Sequence, residues 1–533
     1  MELGSTGVKY KNKENGGNSV LGAAFSLTVS TIIVKLLGLI YKIPLTRFLG
    51  EEGMGYFNSA YTVYGVFFLT CTAGVPKAVM MHLLDKDATD TYRSRIIRIS
   101  IYAFLTFGGV MTVLFASLSG AMAHLIGSDS SRYTMLVIAP SILFVSLGGV
   151  LRGVLSAEMK LLNVAVSQII EGVGKLALGL VFAYHGIRIG MPLELLSAYT
   201  ILGVTVGSVF GFIYLYITSG VFVSLRKSRE KIPLRDAISL LRKIFSVSLP
   251  ITLSALIMSM TGIIDLLFVM QRLAGIGYSE IEATALYGNY TTLAVPMYNL
   301  IISVLTPISV AFLPIFIRSH VKEDIQLRDS SLKSSLDLTA IICAPMVIGI
   351  MAYPGEILSL LFGNIGISDG APLLLLMMPA AVLMSLLLIA NSLLESRGDV
   401  RAPVFAMLIG CILKLVITYF LVGNSDYGIS GAPIGTVVSY GIALFIAVRR
   451  LVKKHGIHLP ILRTHFMPYL NAMLSVMLSR RIYSAAVGSV GENVSLLIAV
   501  AFTAVTYTLL CVFCGVISKK KIKMVANYTK MTA

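Results

Sequence analysis

Residues 20–46 of this 533-residue chain read VLGAAFSLTVSTIIVKLLGLIYKIPLT, an apolar run interrupted by Lys35 and Lys42. A helix of about 20 apolar residues crosses the hydrocarbon core of a bilayer. Comparable runs recur along the whole chain, which is 56% hydrophobic and only 13% charged and has a mean hydropathy of +0.85. Because the runs are continuous rather than alternating over ~10 residues, they indicate spanning helices and not barrel strands. The chain is therefore predicted to be an all-α polytopic membrane protein.

The apolar runs number fourteen, and the basic residues between them collect in alternate loops. Since loops rich in Lys and Arg stay in the cytoplasm, both termini are predicted to be cytoplasmic, in a protein of the plasma membrane. These loops also account for the formal net charge of +17, so we expect no nucleic-acid partner. The predicted spans are 20–46, 54–82, 96–119, 133–157, 161–185, 194–219, 244–271, 283–317, 333–353, 372–395, 401–422, 430–452, 466–487 and 494–517.

An internal repeat divides the spans into two parallel halves. At a shift of 239 residues Pro140 meets Pro379 and Lys175 meets Lys414. Parallel repeats of this kind place a transport site between the halves, near the midplane. The predicted organisation is two six-helix lobes plus two C-terminal helices. Its parts are an N-terminal tail at 1–19, an N-lobe at 20–219, a basic linker at 220–243, a C-lobe at 244–454, spans 13 and 14 at 455–517, and a basic tail at 518–533.

Six cationic side chains lie inside the predicted spans. A cation near the bilayer centre costs roughly 2.5–3.5 kcal/mol on insertion scales, so it usually faces a watery cavity or a partner charge. A cavity lined by cations favours an anionic cargo. Lys35 and Lys42 are two helical turns apart and share a face, although Lys42 could instead extend to the interface. The six are Lys35, Lys42, Lys77, Arg152, Lys175 and Lys414.

Several of these cations also have local explanations. Lys77 follows Pro76, whose missing N–H frees backbone groups that must face protein or a cavity; it is either an anion contact or a residue at the cytoplasmic end. Glu171 and Lys175 are spaced i, i+4, which favours a mutually neutralised ion pair. Lys414 has a glycine where its repeat partner has that acid, so local pairing explains it less easily.

Asp265 is the acid of the seventh span. It is expected either to pair with a cation of the opposite half or to bind a coupling proton or monovalent cation. Arg272 lies seven residues later and could share its face, and Asn58 and Asn289 are the polar residues expected in the cavity. No HExxH or GxSxG motif and no pair of catalytic acids occurs. The sequence therefore predicts no catalysis, no metal and no cofactor.

Four short segments, together with the 6+6+2 arrangement of spans, carry a resemblance to a known family. They are Lys35-Leu-Leu-Gly-Leu-Ile-Tyr-Lys42, Gly53-Met-Gly55, Gly74-Val-Pro-Lys77 and Ala285-Leu-Tyr-Gly288. They resemble the stage V sporulation protein B branch of the polysaccharide-biosynthesis transporters, in the multidrug/oligosaccharidyl-lipid/polysaccharide exporter superfamily. Relatives of that branch include the lipid II flippases of peptidoglycan synthesis.

The resemblance implies a V-shaped pair of lobes around a cationic cavity, working by alternating access, with a groove for a polyprenyl tail formed by the last two helices. Lys35 matches the first basic residue of span 1 in the lipid II flippases. Tyr41 and Lys42 stand where those flippases typically have an Arg-Asp pair, so this chain carries an added positive charge at a position where they have an acid.

The resulting functional prediction is a flippase for an undecaprenyl-diphosphate-linked cell-wall saccharide, lipid II in particular, driven by the membrane potential or by a monovalent cation. Its partners would be membrane lipids and cell-wall synthesis enzymes. Two alternatives are a multidrug/cation antiporter of the same superfamily and a membrane glycosyltransferase or polymerase. The predicted diphosphate ligands are Lys35, Lys42, Lys77, Arg152 and Arg272; the predicted coupling or pairing residues are Asp265, Glu171, Lys175 and Lys414.

Overall fold

The computed structural model describes residues 16–84, 90–221 and 233–516. The side chain of Lys35, residues 222–232 of the basic linker, the C-terminal tail and nearly all of the N-terminal tail lie outside the described part of the chain. The helices of the first half are α1 (Gly16–Thr72), α2 (Val75–Leu83), α3 (Asp90–Ile126), α4 (Ser131–Ile138), α5 (Ser141–Ala157), α6 (Leu161–Arg188) and α7 (Leu193–Thr218).

The second half of the described chain is also helical. Its helices are α8 (Leu234–Gly275), α9 (Glu280–Asn289), α10 (Val295–Val321), α11 (Ile325–Ala352), α12 (Pro354–Phe362), α13 (Ile367–Ser396), α14 (Arg401–Val422), α15 (Gly431–His455), α16 (Ile461–Val490) and α17 (Glu492–Phe513). A π-helical turn, Tyr290–Ala294, joins α9 to α10, and a short 3₁₀ turn, Gly428–Ser430, precedes α15.

Helix α1 contains the first two predicted spans, joined by a single glycine rather than by a loop. Gly50 has φ 65° and ψ −169°, outside the helical region, and a positive φ of this kind is accessible to glycine at little cost. The side chains of Lys42 and Asn58, eight residues before and after Gly50, lie 3.1 Å apart. The two limbs of α1 are therefore antiparallel, and we call them α1a and α1b.

Twelve helices in the described part of the chain are long and apolar enough to cross a membrane. The predicted count of fourteen is compatible with this result, because helix covers most of the described length of every predicted window. The two windows without a separate qualifying helix are the first, on α1a, and the thirteenth, on α16. Helix α16 carries Arg463, Arg480 and Arg481, which lower its hydropathy.

The helices pack as two bundles in chain order. Helices α1–α7 pack on one another and form the N-terminal bundle, and α8–α15 form the C-terminal bundle. Helices α16 and α17 pack together, against α11 and α12. Helices α1, α2 and α3 cross to α8, and α1 also contacts α9 and α10. The predicted 6+6+2 arrangement agrees with this packing, whereas the domain boundaries stay a prediction.

Close approach of backbones holds the N-terminal bundle together on the cavity side. A side chain at Gly203 in α7 would overlap the backbone of Gly179 in α6. A side chain at Gly179 would in turn overlap the ring of Tyr41 on α1a. Small residues let membrane helices approach closely enough for dispersion contacts to replace a hydrophobic driving force that lipid does not supply.

Candidate functional site: the cationic cavity between the bundles

A cavity of about 870 Å³ lies between the two bundles. Helices α1a, α1b, α5, α6 and α7 form its walls on one side, and α8 and α10 form the other. Its charged residues are three cations and one carboxylate, and its other polar residues include amides on α6 and α10. These residues are Lys42, Arg152, Glu171, Lys175, Gln168 and Asn299.

Lys42 is held only by neutral groups among the described residues. Its Nζ donates to Oδ1 of Asn58, 3.1 Å away on α1b, and to the carbonyl oxygen of Thr291, 2.9 Å away in the π turn of the opposite bundle. Neither partner carries a charge. No carboxylate in the described part of the chain therefore pairs with Lys42 at the cavity wall.

The carbonyl of Thr291 is free to accept this bond because of the local sequence. In the π turn the N–H of Val295 donates to the carbonyl of Tyr290, one residue farther back than in an α-helix. The next residue is Pro296, which has no N–H to donate. The helix thus leaves the Thr291 oxygen without a backbone donor, and in an apolar surrounding such a group must find another partner.

Arg152 is neutralised within its own bundle. Its guanidinium lies 2.7 Å from the carboxylate of Glu171, and the two side chains are 12% and 26% exposed. The i, i+4 pair expected between Glu171 and Lys175 is replaced by this bond between α5 and α6. The carboxylate cancels much of the electrostatic potential of the guanidinium. Arg152 therefore contributes less to the positive potential in the cavity than its position suggests.

Lys175 rests on aromatic rings instead. Its Nζ lies 4.0 Å from the ring centroid of Tyr61 and 5.7 Å from that of Tyr41, and no ion pair of Lys175 occurs in the described part of the chain. A cation over an aromatic face is stabilised by about 0.5–2 kcal/mol. The ring of Tyr61 is itself stacked on Phe57, at 6.1 Å. Lys175 is therefore held in place while its charge remains unneutralised.

Two of the predicted ligands lie away from this cavity. Lys77 is exposed on α2 and interacts electrostatically with Glu395 of α13. Arg272, at the end of α8, stacks 4.2 Å from the ring of Tyr419 and donates to its carbonyl oxygen at 3.1 Å. Neither residue is part of the cavity wall. The structure thus brings together Lys42, Arg152, Glu171 and Lys175, and not the other two.

Asp265 and Lys414 form a buried ion pair inside the C-terminal bundle. The ammonium lies 2.7 Å from Oδ2 of Asp265, with side-chain exposures of 1% and 7%, and it also donates to the carbonyl oxygen of Thr261 at 2.9 Å. The hydroxyl of Tyr290 donates to the same carboxylate oxygen at 3.1 Å. The partner of Asp265 thus comes from its own half, not from the opposite one.

Asn58 and Asn289, the polar residues predicted in the cavity, both bridge the bundles. Asn58 donates from Nδ2 to Oγ1 of Thr292 at 2.7 Å. Asn289 donates from Nδ2 to Glu51 of α1b at 2.9 Å and to Asp369 of α13 at 3.4 Å. Both amides are buried, and they connect α1b to the opposite bundle rather than line the cavity.

Glycines bring the two bundles into backbone contact near Asn289. A side chain at Gly55 would overlap the carbonyl oxygen of Thr284, and one at Gly288 would overlap the carbonyl oxygen of Glu51. The backbones of α1b and α9 are therefore in direct contact close to Gly50. We call this contact the glycine seam.

The sequence reasoning missed three features of the site. Tyr61 and Asn299 face the cavity, and neither has a charge or motif that distinguishes it from other residues of apolar spans. The π turn has a sequence signal only in Pro296, because a proline within a span indicates a kinked helix but not which carbonyl is freed. In the described part of the chain no three His, Cys, Asp or Glu residues are placed to hold a metal ion.

Residues 20–320, with the cavity and the whole N-terminal bundle, match the family described as "polysaccharide biosynthesis protein". The chain belongs to this family. The match covers more than half of the chain and extends into α10, so it includes every residue of the cavity wall.

The curated relatives of this family member include a sporulation protein and a lipid II flippase. Stage V sporulation protein B of Bacillus subtilis is 23% identical over 420 residues, covering 77% of this chain and 79% of the relative. The lipid II flippase MurJ of the same organism is 22% identical over 481 residues, covering 86% and 88%.

Solved structures establish the fold. A lipid II flippase MurJ in an inward closed conformation superposes with a TM-score of 0.69 at 13% identity, covering 91% of this chain and 98% of that one. An inward-facing multidrug transporter of the MATE family gives 0.64 at 14% identity, covering 80% and 96%. The family member is therefore a multi-pass membrane protein with the helical fold of these membrane transporters.

Proposed function

We propose that the protein is a flippase that moves a polyprenyl-diphosphate-linked saccharide across the membrane by alternating access, with lipid II as the leading cargo. The observation that carries the proposal is the pair of unneutralised ammonium groups, Lys42 and Lys175, at the wall of the cavity between the bundles. Charge-assisted hydrogen bonds to phosphate oxygens are among the strongest available to a side chain, and they strengthen where water is scarce.

The cargo would divide between the cavity and the lipid. The diphosphate would contact Lys42 and Lys175, and the saccharide would meet Gln168 and Asn299. The polyprenyl tail would remain in the membrane, and helices α16 and α17 would give it a groove. With both termini in the cytoplasm, the inner-negative potential favours outward movement of an anion by about 2.3 kcal/mol per charge per 100 mV. A monovalent coupling cation is the alternative source of energy.

The resemblance to MATE structures makes a cation antiporter the second candidate. Such a protein needs carboxylates exposed to its cargo. The carboxylate in the cavity wall is Glu171, and Arg152 already binds it. The cavity therefore suits an anion better. Resistance to cationic drugs on overexpression would favour the antiporter.

The decisive test is reconstitution of purified protein in liposomes with an undecaprenyl-diphosphate-linked disaccharide, followed by its appearance in the opposite leaflet. A hydrogen bond to a charged group contributes about 1.5–3 kcal/mol, so Lys42→Met and Lys175→Met should each lower the rate by roughly 10-fold to 100-fold. Arg272→Met, a cation outside the cavity, is the matched control. Equal rates in all four proteins would contradict the proposed site.

A depletion experiment separates lipid II from other lipid-linked saccharides. Loss of the transporter should cause its own precursor to accumulate in the inner leaflet, where mass spectrometry identifies the saccharide. If a teichoic-acid, capsular or spore-specific precursor accumulates, that precursor is the cargo instead of lipid II, and the proposed diphosphate site still stands. Accumulation of no polyprenyl diphosphate would contradict the flippase proposal.

A further inference from the structure

Three hydrogen bonds beside the cavity share two side chains of α1, and two of these bonds connect the bundles. Lys42 donates to the Thr291 carbonyl at 2.9 Å and to Asn58 at 3.1 Å, and Asn58 donates to the Thr292 hydroxyl at 2.7 Å. Asn58 and Thr292 are 4% and 1% exposed. We call Lys42, Asn58, Thr291 and Thr292 the inter-bundle clasp.

Lys42 belongs to both the clasp and the cavity wall. An ammonium has three N–H donors, and its two partners here are a carbonyl and an amide, both neutral. A phosphate oxygen is a stronger acceptor than either because it is charged. An anionic headgroup in the cavity can accept the third N–H of Lys42 and then draw the ammonium away from Thr291, because its charged oxygens attract the ammonium more strongly than the neutral carbonyl does.

The carbonyl of Thr291 can lose Lys42 without a rearrangement of the helix that carries it. The π turn and Pro296 already deprive it of a backbone donor, so water entering the cavity can replace the ammonium. Asn58 retains its bond to Thr292 until the bundles move, but without Lys42 its carbonyl oxygen loses the donor that orients it.

We propose that the clasp couples cargo to movement: the diphosphate headgroup withdraws Lys42 from Thr291, and loss of this bond allows the bundles to rock apart at the glycine seam. The inference rests on the proposed function, because it takes a diphosphate as the cargo. In an empty transporter the clasp keeps α1 against the π turn. The same ammonium group therefore binds the cargo and holds the two bundles together.

Lys175 supplies the matched control for this inference. Its ammonium contacts Tyr61 and Tyr41, both on α1, so it connects helices of one bundle only. Lys175→Met removes a cavity cation and leaves the clasp intact. Lys42→Met removes a cavity cation and the clasp together. The two variants therefore separate loss of charge from loss of closure.

The experiment measures the distance between spin labels on the two bundles in the full-length protein in lipid nanodiscs. Labels at Tyr133 on α4 and Tyr427 before α15 suit this purpose, because both side chains are exposed, by 45% and 49%. The five native cysteines are first replaced, and transport by the cysteine-free protein is verified. The probe is undecaprenyl diphosphate added to the nanodisc lipid.

Without the probe, wild type and Lys175→Met should show one short distance, whereas Lys42→Met should show an additional longer one. Lys42→Arg should resemble wild type, since it keeps a donor. Thr292→Val, a nearly isosteric change that removes one clasp bond, should shift the distribution in the same direction as Lys42→Met but less. The probe should shift wild type toward the longer distance and leave Lys42→Met unchanged.

Identical distributions for wild type, Lys42→Met and Thr292→Val without the probe would overturn the clasp, even if undecaprenyl diphosphate moves the wild-type labels. A second outcome is that undecaprenyl diphosphate leaves the wild-type distance unchanged while Lys42→Met shows the longer distance. In that case the clasp holds the bundles together, but the diphosphate cargo, and with it the proposed trigger, is wrong.

Discussion

The buried ion pair between Asp265 and Lys414 should dominate the stability of the C-terminal bundle. The two side chains are only 7% and 1% exposed, so water and salt screen the pair little. Lys414→Met would leave the carboxylate with the Tyr290 hydroxyl as its donor among the described residues and remove the donor to the Thr261 carbonyl. Removal of one partner of a buried pair destabilises a protein by about 3–5 kcal/mol.

That free energy translates into a large thermal shift. For a folding unit of about 200 residues, 1 kcal/mol lowers the midpoint of unfolding by about 2–4 °C. Lys414→Met should therefore lower the apparent Tm of the detergent-solubilised protein by roughly 6–20 °C. A thiol-reactive dye can report unfolding, because four of the five free cysteines are buried in the folded protein.

The repeat partner Lys175 provides the control, since its ammonium contacts aromatic rings rather than a buried acid. Lys175→Met should lower the Tm by less than Lys414→Met does, by roughly 1–8 °C, because a cation–π contact contributes about 0.5–2 kcal/mol. The double variant Asp265→Leu/Lys414→Met should recover most of the loss, because apolar replacement of a whole buried pair is often neutral. A Tm of Lys414→Met within 1 °C of the wild-type value would refute this reasoning. A shift of that size corresponds to roughly 0.5 kcal/mol or less.

Three further predictions follow from individual positions. Gly55→Ala would drive a methyl group into a backbone oxygen of α9 and should destabilise the closed state by about 1–3 kcal/mol, whereas Gly65→Ala, with open space around it, should not; thermal unfolding of the pair checks this, and equal midpoints would contradict the glycine seam. Glu171→Gln should tighten binding of undecaprenyl diphosphate, measured by titration in nanodiscs, because it frees the cavity arginine from its acid; weaker binding would show that the pair positions the site instead. Hydrogen bonds from Arg450, and then from Lys454, lower the pKa of Asp399 to about 2, so the stability that Asp399 confers should be constant above pH ~4 and disappear as the pH falls toward 2; the Tm difference between wild type and Asp399→Asn, followed from pH 7 to pH 3, should shrink, and a difference that grows on acidification would contradict it.

The sequence alone determined the class of the protein and the residues from which its site could be formed. Apolar runs of spanning length fix the helices, since a backbone in lipid must satisfy its own hydrogen bonds. The cost of placing a cation in those runs identified Lys42, Arg152 and Lys175 as functional candidates before any contact was known. The proline of the eighth span also predicted an irregular helix, and a π turn lies immediately before it.

Only the tertiary structure decided which of these charges remain available to a ligand. Sequence spacing paired Glu171 with Lys175, but Glu171 binds Arg152 across two helices, and Lys414 is neutralised by Asp265. Lys77 and Arg272 lie off the cavity altogether. The physical reason is that spacing along one helix gives only candidate partners. Whether a long side chain contacts an acid, an aromatic face or a free carbonyl depends on which of them is within reach. Those distances are set by how separate helices pack.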